Sequence, residues 1–224
     1  MLETYKKKIT LIENEIVDVL NCLINASNIS FSGVVDMDVS RFKEAKETVA
    51  TIHETCDAID TNIITTLALF SPEAKDLRKL VSYLKITAGL TKTASNIRAY
   101  NKSIIKNFKE NSQAFTDSDY LQALQTSSIE ALKHTLSIIG QENKDTLEDL
   151  FEQICIEVDK TEMVYEAVEK ELLSTNKISV EGFAQNSSLL KTFRKLDKMT
   201  NRIMDVATAL VNAKLDRVVV RDLD

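Results

Sequence analysis

Apolar residues recur from the start of the chain at Leu2, Tyr5, Ile9, Ile12, Ile16, Val19 and Leu23. The gaps alternate three and four, the seam of a helix packed nearly parallel to its neighbours. The pattern lapses from Ser27 to Val39, which includes Gly33, and predicts a loop there. A second seam runs Val49, Ile52, Cys56, Ile59, Ile63, Thr66, Phe70 and stops at Ser71-Pro72-Glu73. There Ser can cap, Pro suits a first helical turn, and Glu favours the positive end of the dipole. The third seam follows as Leu77, Leu80, Leu84, Leu90, Ala94, Ile97, Asn101, Ile104 and Phe108, with Gly89 inside it. An interior glycine costs about 1 kcal/mol relative to alanine.

Polar residues Asn111, Ser112, Thr116 and Asp117 predict a break before a fourth helix, about Ser118 to Ile139. Gly140 and the polar stretch from Gln141 to Thr146 end it. A fifth seam reads Leu147, Leu150, Ile154, Val158, Tyr165, Val168, Leu172. The sixth, after Ser174-Thr175-Asn176, carries Phe193, Leu196, Thr200, Ile203, Ala207 and Leu210. The charged end beyond it, DRVVVRDLD, is expected to fray or leave the bundle. Helices of more than 30 residues reach roughly 50 Å and make bundles rather than a globin-like ball.

Composition closes off the other fold classes. The 224 residues include Gly 4 and Pro 1, against about 27 at average usage of roughly 7% and 5%. Hairpin-rich sandwiches, barrels and dinucleotide-binding turns consume glycine, because they need positive φ or close backbone approach. Hydrophobic residues at 44% are enough to bury a core. The fold class is therefore all-α, with six long helices as two tandem three-helix bundles.

Charge and cysteine usage set the surroundings. Lys+Arg 28 against Asp+Glu 34 leaves a net charge of −6, which makes nucleic acid a poor partner. Cys22, Cys56 and Cys155 are odd in number, far apart and in no CxxC pair, which fits a reducing compartment. Glu13, Glu15 and Asp18 interrupt the first twenty residues where a signal peptide needs an apolar run. No stretch approaches the roughly 20 apolar residues that cross a bilayer. These features predict a soluble, cytoplasmic protein without membrane insertion.

The chain also repeats itself. Leu90-Thr91-Lys92-Thr93-Ala94-Ser95 aligns with Leu196-Asp197-Lys198-Met199-Thr200-Asn201 at an offset of 106 residues. The same offset pairs Ile52 with Val158, Cys56 with Glu162, Asp60 with Glu166, Leu84 with Leu190 and Ile97 with Ile203. A constant offset across two helices points to duplication of a three-helix unit, although the first helices do not hold the register. The expected division is 1–111, 112–218 and a tail at 219–224, with the two bundles end to end.

The segment from Ser71 to Arg78 reads SPEAKDLR. It resembles the PhoU family, whose signature is Q-P-x-A-x-DLR followed by L-E-R-I-G-D further along the same helix. Pro72, Ala74, Asp76, Leu77 and Arg78 match, as does the spacing to Leu90. Six long helices, a duplicated unit and a length near 220 agree with that family over nearly the whole chain. The resemblance implies a cytoplasmic regulator of phosphate uptake and phosphate-starvation signalling. Its partners would be the ATPase subunit of a phosphate ABC transporter, a sensor histidine kinase, or both. It also implies E(D)xxxD motifs that carry multinuclear iron or zinc. Related domains accompany sodium–phosphate cotransporters, so an accessory scaffold or gate of such a transporter is the alternative, with a metal-dependent sensor as a third reading.

The metal motif is where this chain departs from the family. Its carboxylate pair falls on Thr91 and Ser95 in the first repeat, and on Asp197 and Asn201 in the second. Hard or borderline cations need carboxylates to offset their desolvation, so geometry survives here better than chemistry. The family's glycine falls on Ala94 and Thr200. The facing helices offer His53, Cys56 and Asp60, then Asp159, Glu162 and Glu166. Asp159, Glu162 and Glu166 lie along one helix face, and with Asp197 form the candidate metal set. The simpler reading of the four is a solvated acidic surface that Lys160, Lys198 and Arg202 neutralise. Cys56 reads more simply as a small core residue, and His53 as its boundary neighbour. For Asp76 and Arg78 an architectural role at the turn is preferred to direct partner contact.

No enzyme class fits the residues. Only His53 and His134 could act as imidazole bases, and no glycine-rich phosphate loop exists. A ferritin-like di-iron centre needs Glu-x-x-His, yet Ala50 and Ala131 stand three residues before the two histidines. Long bundles with several apolar stripes also pair with themselves, so a homodimer is expected.

Overall fold

The computed structural model describes residues 2–110, 119–174 and 180–215. Seven helical segments appear among them: α1 Leu2–Val35, α2 Val39–Thr48, α3 Ile52–Phe70, α4 Ala74–Glu110, α5 Asp119–Ile139, α6 Lys144–Ser174 and α7 Val180–Leu215. The expected break at Asn111 to Asp117, the link after Ser174, and the tail from Asp216 lie outside the described residues.

The seam of α1 is buried as expected, with Ile9, Ile12, Ile16, Val19 and Leu23 all in the core. Beyond it, the loop expected from Ser27 to Val39 is helical as far as Val35. The stripe continues there in small and polar residues, Ala26, Ser27 and Ser30, each buried, which hides the period from a hydrophobicity reading. Gly33 belongs to a close helix contact rather than a turn. A Cβ on it would meet the Phe42 ring at 2.8 Å and Arg41 Cβ at 2.9 Å. The reversal falls later, on Met37 at φ 56°, and Asp38 caps α2 through Oδ1, 2.8 Å from the Ser40 amide.

The second expected helix begins earlier than Val49 and is broken once. Phe42, Ala45, Val49 and Ile52 are buried at gaps of three and four, so one seam runs through both α2 and α3. Cys22 donates its thiol hydrogen to the Thr48 carbonyl at 3.0 Å, near the end of α2. With α2 and α3 taken together, the six-helix order stands.

The third expected helix also starts two residues late. Ser71 ends α3 in the left-handed region (φ 43°, ψ 57°), its amide bonded to the Leu67 carbonyl at 3.1 Å. Pro72 therefore lies in the connection, and the first turn of α4 closes on the Glu73 carbonyl, which accepts from Asp76 N at 2.9 Å. In the second half, Asn143 Oδ1 caps α6 by accepting from the Thr146 amide at 3.0 Å.

The two halves pack side by side rather than end to end. The most extensive contact between helices is α4 against α7, one from each half, and α1 also packs on α5. The α4–α7 pair is antiparallel. Asn107 donates to Thr192 Oγ1 at 2.8 Å near one end, Lys195 Nζ to Ser103 Oγ at 3.0 Å further along, and Gly89 faces Val206 beyond. A Cβ on Gly89 would stand 2.5 Å from Val206 Cγ2. That glycine sets how closely α4 and α7 approach.

Each half also has a buried polar link between its own helices. Ser30 donates to Asn101 Oδ1 at 2.8 Å, and the Ser128 and Thr200 hydroxyls pair at 2.8 Å; all four residues are buried. Satisfied buried polar pairs of this kind fix register more than they add stability. Among the described residues no helix is long and apolar enough to cross a membrane.

Candidate functional site: an exposed helix corner and two matched helix pairs

The most specific sequence match lands on the corner between α3 and α4. From Thr61 to Pro72 the chain carries no charge, because α3 ends in Thr, Ile, Leu, Ala and Phe. Ile63 and Thr66 turn inward. Ile64 and Leu69 turn outward at 58% and 66% exposure, joined on α4 by Leu77 at 44% and Val81 at 40%. Of the matched residues, Pro72 is half-buried while Ala74, Asp76, Leu77 and Arg78 are exposed.

A ring contact ties the corner to α1. Tyr5 packs edge-on against Phe70 with ring centroids 5.5 Å apart. Its phenol is pushed above the usual range by burial and by the charge of Asp76. Ala74 adopts φ 25°, an uncommon value for a residue with a Cβ, at the first position of α4.

One turn further on lies a polar cluster that sequence reasoning did not single out. Lys79 Nζ is 2.8 Å from Glu13 Oε1, and Tyr83 donates its phenolic hydrogen to the same oxygen at 2.5 Å. Burial, then that hydrogen bond, push the Tyr83 phenol far up. Glu13 stands on α1, so no local motif announces the cluster.

The second candidate region comprises the positions read as a metal set. In the second half, Glu162 on α6 is near enough to Asp197 on α7 for its charge to act on it. Burial raises the Asp197 carboxyl, the Glu162 charge raises it further, and Arg194 and Lys198 oppose both. Asp197 also receives a hydrogen bond from Asn201 Nδ2 at 3.3 Å, one turn further along α7. Asp159 and Glu166 stand on exposed positions of α6, and Glu166 lies 3.9 Å from Lys170. Lys160 pairs with Glu157 at 2.7 Å rather than with the candidate set.

In the first half the same offsets bring Cys56 to Thr91. Cys56 is buried in the core; burial raises its thiol, and a hydrogen bond with the Thr91 hydroxyl opposes that. Asp60 accepts from the Thr87 hydroxyl at 2.5 Å, and exposed His53 lies 3.7 Å from Asp57. Among the described residues no three His, Cys, Asp or Glu side chains come together in an arrangement able to hold a metal ion. A multinuclear iron or zinc cluster needs more donors than the one carboxylate pair gathered here.

No family model matches the chain, and no curated protein matches it. Solved structures do. The phosphate transport system regulatory protein PhoU from Streptococcus pneumoniae superposes at a TM-score of 0.81 and 16% identity, covering 96% of this chain and 99% of that one. PhoU from Pseudomonas aeruginosa superposes at 0.83 and 13% identity, covering 95% and 100%. Over nearly its whole length, the chain has the fold of the PhoU proteins.

Proposed function

We propose that this protein regulates phosphate uptake and phosphate-starvation signalling without enzymatic chemistry. It acts by docking helical surfaces onto a phosphate ABC transporter, a sensor histidine kinase, or both. The observation that carries this reading is the fold shared with two PhoU proteins along 95–96% of the chain. The SPEAKDLR segment supports it, standing on an exposed corner beside four outward-facing apolar side chains. Exposed apolar side chains grouped at one corner of a bundle suit protein contact rather than small-molecule chemistry.

Deleting the gene in the source organism and following phosphate uptake with a phosphate-starvation reporter tests the proposal. The expected result is starvation signalling that stays on in phosphate-rich medium. Affinity capture from phosphate-replete cells should recover a phosphate transporter component or a sensor kinase. Unchanged uptake and reporter output, with neither partner captured, would refute it.

A further inference from the structure

α4 and α6 carry opposite charge. From Leu77 to Lys109, α4 holds eight Lys or Arg and no Asp or Glu, in a chain whose net charge is −6. α6 is the reverse, with ten Asp or Glu against three lysines from Lys144 to Ser174. The overall balance of the chain conceals this separation.

Spacing gives the separation a shape. On α4, Arg78, Lys85 and Lys92 stand seven residues apart and Lys106 fourteen further on, all exposed, with half-buried Ala99 at the intervening step. On α6, Asp145, Glu152, Asp159 and Glu166 stand at the same interval of seven, and all four are exposed. Seven residues advance a helix by about 10.5 Å and return within about 20° of the same face. Each row is therefore a stripe of one sign with a common repeat. The acidic stripe runs roughly 32 Å and the basic one roughly 42 Å.

α7 packs against both helices and keeps the two rows apart within one copy. Its Lys195 donates to Ser103 Oγ on α4 at 3.0 Å, and the charge of its Arg194 acts on Tyr165 of α6. Cations crowd the α4 side of α7. Burial first, then the Lys191 and Lys198 charges, push the Lys195 ammonium below its usual range. The basic surface thus continues from α4 onto α7, with the acidic row of α6 beyond it. An anionic lipid surface would attract the first and repel the second. A second copy offers an acidic stripe of matching repeat to the basic one.

We propose that a second copy of this chain lays its α6 acidic row along the α4 basic row of the first. Each copy presents both rows, so a two-fold pairing makes the contact twice. Exposed charge pairs are individually weak and screened by salt, so the dimer is salt-sensitive.

Sedimentation velocity of the full chain tests this. The expected result is a dimer at about 0.01 M salt, where the Debye length is about 30 Å, and a monomer at about 1 M, where it is about 3 Å. A monomer at both, or a dimer that survives at the higher salt, would overturn the proposal. Two reversed chains assign the faces: Lys85→Glu with Lys92→Glu, and Glu152→Lys with Asp159→Lys. All four positions are exposed, so helical circular dichroism should hold. Each reversed chain alone should sediment as a monomer at low salt. An equimolar mixture should recover the dimer, because both contacts again bring opposite charges together. A dimer of either reversed chain alone, or a mixture that stays monomeric, would overturn the assignment. So would a monomeric parent chain that co-sediments with phosphatidylglycerol vesicles at low salt, which would give the α4 row to lipid.

Discussion

Gly89→Ala isolates the closeness of the α4–α7 contact. In an unpacked helix the change would stabilise the chain by about 1 kcal/mol, because alanine is the better helix former. Here the added methyl would stand 2.5 Å from Val206 Cγ2, and Val206 is a short, fully buried side chain with no flexible end to give way. Overpacking of this kind costs about 1–3 kcal/mol. The net expectation is a loss of up to about 2 kcal/mol, opposite in sign to the propensity effect. Val206→Ala alone removes two buried methyl groups and should cost about 2–3 kcal/mol. In the double variant the new methyl occupies part of the space vacated, so the losses should fall short of additive by about 1–2 kcal/mol. Urea unfolding reads all three, as a change of midpoint at constant slope. Stabilisation by Gly89→Ala, or additivity within about 0.5 kcal/mol, would refute the close packing of the two halves.

Tyr83→Phe should cost about 1–2 kcal/mol in urea unfolding, because it removes a hydrogen bond to the Glu13 carboxylate while Lys79 still neutralises that charge. Asp197→Asn should be pH-dependent. The folded-state pKa of Asp197 is raised, so its ionisation opposes folding and stability falls as pH rises through the window above the ordinary value of 3.8. The asparagine variant should therefore be more stable than the parent at pH 7, with the gain vanishing below that value; an equal difference at pH 3 and pH 7 would remove Asp197 from the account. Leu69→Glu with Leu77→Glu should leave the unfolding midpoint within about 0.5 kcal/mol, since both side chains are exposed, while abolishing capture of the phosphate transporter component or sensor kinase. Gly33→Ala should destabilise the α1–α2 contact, read as faster amide exchange across Val39 to Thr48, because its Cβ would meet the Phe42 ring and Arg41 Cβ together.

Every long helix could be read from apolar residues spaced three and four apart, because a helix buried along one stripe has to show that period. The misreadings fall where the buried stripe is short or built from small residues. The end of α1 was missed where the buried face is built from Ala26, Ser27 and Ser30 rather than large hydrocarbons, and α2 because so short a helix buries only Phe42 and Ala45. Close helix approach selects small residues, and the same selection erases the hydrophobic signal. Gly33 illustrates it twice over, since a glycine read as a loop marker proves to be a helix contact. Side-by-side packing of the halves was equally hidden. It depends on Gly89 against Val206 and on Asn107 against Thr192, pairs about a hundred residues apart with no local pattern between them. The Glu13, Lys79 and Tyr83 cluster is nonlocal in the same way.

The two matched pairs show what the 106-residue offset keeps and what it releases. Cys56 meets Thr91 in one half and Glu162 meets Asp197 in the other, at the same offset of 106. The meeting is a property of how α3 lies on α4 and α6 on α7, so it persists whatever residues stand there. What those residues do then depends on burial and charge. Cys56 and Thr91 are uncharged and need no compensation, so their position can close over as core. Asp197 is an acid held partly out of water, so burial first and the Glu162 charge second raise its carboxyl, and Arg194 and Lys198 oppose them. A third carboxylate brought in by mutation would raise the repulsion without a cation and lower it with one. Substituting Asn201→Asp is thus the sharpest probe of this half. It should destabilise the chain in chelator-treated buffer, and zinc should restore the midpoint if the helix pair keeps its geometry. A loss that zinc leaves unchanged would mean that the pair holds its shape through packing while lacking the donors to close around a metal.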